Sequence, residues 1–511
     1  MIYRWQSLTL LSLVFYLIFP IPFDLQSVGI SQVLAQNSNP RKAEADKLIK
    51  QGYELDDNNQ PQAALQAFQT ALSIYQEIKD KHGESKALNF IGIIYSDDFD
   101  EYNQAITYYQ QALEIARKIN DNTLEAKALN NLGLANFRLG NSQHAIEYCK
   151  QGLAVAQRNK NYETEAIVLK SLAAIYFGTD TDKELNFLGQ SLTVLEKASG
   201  NAEDKLRQNK LKFSILIHMG NIYYFLCGAK KQADDSERKE LLDKSLKYYQ
   251  NGLKIAQEVG DRPKQGKALL SLGDLYHLNS QYTKSSEIVQ QESAKAIESF
   301  QQAIKIFTTN KNFRSQARLA YMKLGDVYYR WSKKEEALKA YQEALNIIKI
   351  EVPISPYNKL EQDVQQGLIL ISIGNIYANT SQYEQALVTY KPALETLNLA
   401  LREAKKISTP AKQIQILIIQ LKIEEIYGQL CIVYKFMGQY EASKKACQDS
   451  INFDINFPLT KYLSNKSKLL NKAAKSPAYV KEVQKLQDAV ESLQQSQASR
   501  SPAFIRLIRK L

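Results

Sequence analysis

The 511-residue chain has only four cysteines, four histidines, four methionines and two tryptophans. Cys149, Cys227, Cys431 and Cys447 are too few and too scattered for a disulfide framework. His82, His144, His218 and His277 lie far apart, without the paired spacing of a zinc site. The sequence has no Gly-rich phosphate loop and no Gly-x-Ser-x-Gly elbow. Cys149 and His144 are five residues apart on a helical stretch and point to nearly opposite sides, which rejects a thiol-peptidase pair. Asp97, Asp98, Asp100 and Glu101 read as a solvated acidic turn rather than a calcium loop. No catalytic residue, metal ligand or cofactor site can be nominated, so a non-enzymatic chain is expected.

Excess charge is also missing from most of the chain. The formal net charge is +11, but from Phe457 to Leu511 eleven basic residues face only three acidic ones. The remainder is close to balanced. A basic excess confined to a tail, and not spread along a recognition element, argues against nucleic-acid binding. The tail segment Tyr479–Leu493 places Val480, Val483, Leu486, Val490 and Leu493 at helical spacing, which suits a cap on a helical array. Residues 456–511 are therefore expected to be a basic capping helix and tail, with a membrane-surface contact as the alternative role.

Residues 1–35 differ from the rest. Arg4 precedes an apolar run from Leu8 to Phe19, broken by Pro20 and Pro22, and Val33-Leu34-Ala35 supplies modest residues for cleavage. This has the form of a secretory signal, and the run is short for a membrane span. Export to a periplasm or extracellular space is expected, with a retained anchor as the alternative.

Between the two ends the chain repeats itself. In one copy Gly325, Tyr328, Ala337, Tyr341 and Ala344 line up, and in another Gly374, Tyr377, Ala386, Tyr390 and Ala393, with identical offsets of 3, 12, 16 and 19 from the glycine. Each half of the unit carries an apolar face at helical spacing, and polar breaks separate the halves. Small residues at fixed columns let two antiparallel helices approach closely, and an aromatic fills the space beside them. Other copies follow, some with insertions: Gly52/Phe68, Gly92/Tyr109, Gly133/Cys149, a degenerate unit at Ala173, Gly220/Tyr249, Gly273/Phe300 and Cys431/Cys447. About nine helix pairs result, and the early units step by 40, 41 and 40 residues. Three cysteines sit at packing columns, where buried thiols act as small hydrophobes. Cys431 and Cys447 lie on paired helices and could bridge in an oxidising compartment.

These columns resemble the tetratricopeptide repeat, with Tyr341 and Tyr390 where Phe is usual. The long period, and the phrase Lys254–Asp261 followed by Lys267-Ala268-Leu269-Leu270, resembles the extended variant of kinesin light chains, of polarity adaptors and of bacterial arrays joined to CHAT peptidase domains. The repeats run to about Asn452, so no such second domain is expected within this sequence. The resemblance implies an all-α, right-handed superhelical solenoid over residues 41–455, whose first helices line a concave groove. It also implies that the groove holds an extended peptide or a partner protein. Residues six and three before each glycine, and one, four and five after it, then face the groove. They include Lys86, Asn89, Lys127, Asn130, Phe137, Arg138, Asn221, Tyr224, Lys267, Asp274, Asp326, Tyr329, Arg330 and Asn375. The recurring lysines suggest a partner with acidic residues, and the recurring asparagines suit capture of a peptide backbone.

Overall fold

The computed structural model describes residues 40–57, 60–229, 235–283, 285–351, 353, 356–406 and 410–456. The signal segment 1–35, and all of the basic tail beyond Asn456, lie outside the described residues. So does the cap pattern Tyr479–Leu493.

Eighteen α-helices follow one another as nine antiparallel hairpins, with one short 3-10 turn at Lys311–Phe313. The first helices are α1 (Pro40–Asp57), α3 (Lys81–Asp97), α5 (Asn122–Arg138), α7 (Tyr162–Tyr176), α9 (Ala202–Ala229), α11 (Arg262–Tyr282), α13 (Arg314–Arg330), α15 (Pro356–Asn379) and α17 (Pro410–Phe436). The second helices are α2 (Pro61–Glu77), α4 (Tyr102–Lys118), α6 (Ser142–Arg158), α8 (Thr181–Lys197), α10 (Asp235–Glu258), α12 (Ser286–Phe307), α14 (Lys334–Ile350), α16 (Tyr383–Lys405) and α18 (Tyr440–Asn456). The first five hairpins begin at residues 40, 81, 122, 162 and 202, the regular spacing read from the sequence. Among the described residues all regular structure is helical.

Local chemistry sets the boundaries. A residue with positive φ (Lys79, Asn120, Lys160 or Gly260) ends a second helix. An Asp or Asn follows at once and caps the next first helix. Asp80 accepts from the Gly83 N–H, Asp121 from Leu124, Asn161 from Thr164 and Asp261 from Lys264. The left-handed residue turns the chain, and the cap satisfies a backbone donor that the new helix leaves unpaired.

The core is built from the repeat columns. Ala64, Phe68, Ala105, Tyr109, Ala337, Tyr341, Ala386 and Tyr390 are all buried. Each aromatic lies flat against a glycine of its partner helix. A Cβ added at Gly52 would fall 2.4 Å from the Phe68 ring, and one at Gly374 2.5 Å from Tyr390. Where serine replaces the column alanine, its hydroxyl donates to the opposite helix: Ser245 to the Gly220 carbonyl (2.9 Å) and Ser443 to that of Cys431 (2.8 Å). Cys431 and Cys447 are joined as a disulfide between α17 and α18, whereas Cys149 and Cys227 are free and buried. No helix among the described residues is long and apolar enough to cross a membrane.

Candidate interaction groove

First helices of successive hairpins approach one another more closely than second helices do. The odd-numbered helices therefore form the inner wall of the array, and the even-numbered ones splay outward. Bonds between neighbouring hairpins tie this wall together. Asn131 Nδ2 donates to Asn89 Oδ1 (3.1 Å) from α5 to α3, and Arg207 pairs with Glu163 (3.1 Å) from α9 to α7. Lys323 pairs with Asp274 (2.7 Å) from α13 to α11, and Asn379 donates to the Tyr329 hydroxyl from α15 to α13.

The N-terminal half of the wall concentrates cations. Lys86 on α3 and Lys127 on α5 occupy the same column, are half-buried, and make no ion pair within the described residues. Burial lowers the proton affinity of Lys86. It pulls Lys127 down to about 8; Glu163 opposes the shift, and Lys86 and Arg207 add to it. Asn130, only 1% exposed, donates to Asn131 (3.2 Å), while its own Oδ1 is buried with no hydrogen-bond partner among the described residues. Lys267 lies half-buried in the same column on α11.

The C-terminal half is a mixed network. Burial raises the Asp274 carboxyl, and Lys323 offsets part of the rise. Asp326 is pushed up to about 6 by burial, even though it accepts a bond from the Tyr341 hydroxyl (2.6 Å). His277 is held down at about 3 by burial, helped by Arg330 and Lys323, so its imidazole is neutral.

Several of the expected groove residues are engaged inside the fold. Asn221 Oδ1 accepts from the Tyr249 hydroxyl (2.7 Å) and Asn375 Oδ1 from Tyr390 (2.6 Å), leaving only their amide hydrogens to face a ligand. Tyr224 is buried in an apolar cluster with Cys227, Leu241 and Leu272. Phe137 packs against a cluster between hairpins that contains Ala145, Cys149, Val168 and Leu172. Arg138 is half-buried near Asp97, whose carboxyl burial lifts to about 6. Arg330 is exposed at the end of α13.

Glu163, Arg207 and Lys323 belong to the wall but escaped the fixed offsets. Glu163 and Arg207 each lie two further turns up their helix from an inward column, and Lys323 lies one turn before Asp326. Extending each inward column by seven residues toward the helix N-terminus, and counting Ala173 as the small residue of its unit, would have found the first two.

A solenoid of helical hairpins with an inner wall of first helices is the architecture of a repeat scaffold. Models of the tetratricopeptide repeat match residues 57–118 and 124–197, and a second model of that repeat matches residues 285–358. The chain carries tetratricopeptide repeats over these residues. No curated protein matches it in sequence. Solved structures similar to it include the apo form of the quorum sensor NprR from B. thuringiensis (13% identity, TM-score 0.44, covering 72% of this chain and 89% of that one). A Rap protein complexed with competence and sporulation factor is 15% identical, with TM-score 0.39, covering 81% of this chain and 98% of that one. A STAND ATPase with a tetratricopeptide repeat sensor from Pyrococcus horikoshii is 16% identical, with TM-score 0.45, covering 81% of this chain and 53% of that one.

Proposed function

We propose that the protein is an exported, non-enzymatic interaction scaffold that holds an extended, acidic peptide or a partner protein in its inner groove. One observation carries the reading. Lys86 and Lys127 repeat in register on adjacent inner helices, half-buried and without an ion pair among the described residues, beside the unpartnered Asn130 oxygen. Desolvated cations in a concave wall are costly on their own and favourable opposite a carboxylate.

The test is binding of synthetic extended peptides carrying paired carboxylates, followed by fluorescence anisotropy. Changing Lys86, Lys127 and Lys267 together to Glu is expected to abolish capture and its salt dependence while helicity is retained. If that variant binds like wild type while removal of residues 457–511 abolishes binding, the groove is not the site, and the tail is the functional surface. Export is tested separately by the mass of the mature chain, which should lack about 35 residues.

A further inference from the structure

One contact recurs in seven of the nine hairpins. The small residue of the first helix lies directly against the aromatic-column side chain of the second, so that a Cβ built at the glycine would fall 2.4 to 2.7 Å from it. The pairs run from Gly52 on Phe68 to Gly374 on Tyr390. Hairpin three is a variant, with the Cys149 sulfur on Gly133. In hairpin nine both columns are cysteine, Cys431 and Cys447, and the two are bonded with their Cα atoms 5.1 Å apart. A covalent bond stands where six of the other hairpins use a ring on a bare backbone.

Among the side chains described, few others hold the second helix of that hairpin: Ala446, which is buried, and Ser443, whose hydroxyl donates to the Cys431 carbonyl at 2.8 Å. In α14, Ala337, Ala340, Tyr341, Ala344 and Ile348 are buried, and α16 buries Tyr390, Leu397 and Leu401 among others. In α18, of the side chains described, Ala446 is the single buried apolar one, and Lys444 and Lys445 are exposed. No further helix among the described residues packs over it. Apolar side chains at this end stay open: Phe436 is 65% and Tyr440 70% exposed, and Phe436 stacks only on the edge residue Tyr383.

We propose that the Cys431–Cys447 bond is what keeps α18 on the array, making the ninth hairpin an oxidation-dependent element. Oxidised, the array ends in a closed hairpin. Reduced, α18 detaches and uncovers the outer face of α17. Forming the bond takes one proton and one electron from each thiol. The acceptor is a disulfide-bearing oxidant, either a dithiol–disulfide oxidoreductase or a small disulfide, which leaves as two thiols. A dithiol reductant reverses the exchange. The export reading bears only on where the cell supplies the oxidant; the behaviour of the hairpin stands apart from it and from peptide capture.

The experiment uses the full chain purified under oxidising conditions. Maleimide titration of the denatured protein should find two thiols, Cys149 and Cys227, and four after reduction. Hydrogen exchange should then rise in α18 by roughly a hundredfold on reduction, as expected for opening a covalent loop of this length. Exchange in α14 should not change. A second variant, Cys431→Gly with Cys447→Phe, rebuilds the glycine–phenylalanine contact of hairpins one and six. It should keep α18 protected in the presence of reductant. Four thiols before reduction, unchanged exchange in α18 after it, or a rebuilt variant as reductant-sensitive as wild type would each overturn the proposal. None of these readouts involves a ligand of the groove.

Discussion

The hydroxyl of Tyr390 donates to Oδ1 of Asn375 at 2.6 Å, joining the aromatic column of one helix to the residue just after the glycine of its partner. Tyr249 and Asn221 repeat the bond, as do Tyr341 and Asp326. A tyrosine in a buried column brings a hydroxyl that needs an acceptor, and in these three hairpins the residue after the glycine supplies one. Where the aromatic is phenylalanine no acceptor is required. Opposite Phe300 the equivalent residue, Asp274, turns instead to Lys323.

Asp326 performs this task as a half-buried acid, whereas its counterparts are amides. Its folded-state proton affinity is raised to about 6 from an ordinary value of 3.8, so its contribution is most favourable below pH 4 and is lost as pH rises through 6. Asp326→Asn keeps the acceptor and removes the charge. It is expected to stabilise the protein by about 1 kcal/mol at pH 7 and to have little effect near pH 4. Denaturant midpoints at the two pH values check this; an equal gain at both would remove the titration from the explanation.

The same substitution should have opposite signs at two glycines. Gly325→Ala drives a methyl to 2.7 Å from the Tyr341 ring and should cost about 1–3 kcal/mol. Gly189, inside α8, has nothing within 4 Å of an added Cβ, so Gly189→Ala should stabilise by about 0.5–1 kcal/mol. Thermal melts of the two variants decide the matter, and matching signs would mean the repeat register is misassigned.

Lys127→Met should stabilise the unliganded protein by about 1 kcal/mol at pH 7, because it removes a desolvated charge and keeps the apolar stem. The wild-type lysine binds its proton more weakly folded, at about 8, than at its ordinary 10.5. Wild-type stability should therefore climb between those values, and the advantage of the variant should shrink toward pH 10. The variant should also bind acidic peptides less well. Urea titrations at pH 7 and 10, beside an anisotropy measurement, separate the two effects.

Lys160 turns the chain with φ of 52° between α6 and α7. Gly260, at the equivalent turn, does so without a Cβ to strain. Lys160→Gly is expected to stabilise by about 0.5–1 kcal/mol, net of the greater freedom of glycine in the unfolded chain. Calorimetry of the variant provides the measurement, with a lower midpoint counting against strain at this turn.

The hairpins were legible because their columns answer to one steric demand, a ring lying on Gly325 or Gly374, which only a glycine at that offset permits. Even the insertions around Ala229–Arg238 and Tyr282–Gln291 were visible as breaks in those offsets; they lengthen α9 through α12. The inner wall was less legible. Counting from the glycine placed Lys86, Lys127, Asn221, Asn375 and Asp326 alike on the groove face and did not show that the last three accept from the column tyrosines, because an acceptor for a buried hydroxyl and a donor to a peptide are the same residue types. A partial signal was present: a carboxylate or amide follows the glycine in the units of Tyr249, Tyr341 and Tyr390, but Ile93 follows it in the unit of Tyr109, and Asp274 follows it opposite Phe300. Arg207 was missed because the fixed offsets stop before the helix does, and Glu163 because its unit has Ala173 where the offsets are counted from a glycine.

The sequential packing of the hairpins also predicts how the molecule yields to tension. Each hairpin touches chiefly the ones beside it, so nothing among the described residues ties the two ends of the array together. Pulled from its termini, the chain should pay out one hairpin at a time, in lengths of about 14 nm where the repeat is regular. The hairpin closed by Cys431 and Cys447 should release a shorter length, because the residues between the two sulfurs stay looped out of the stretched chain.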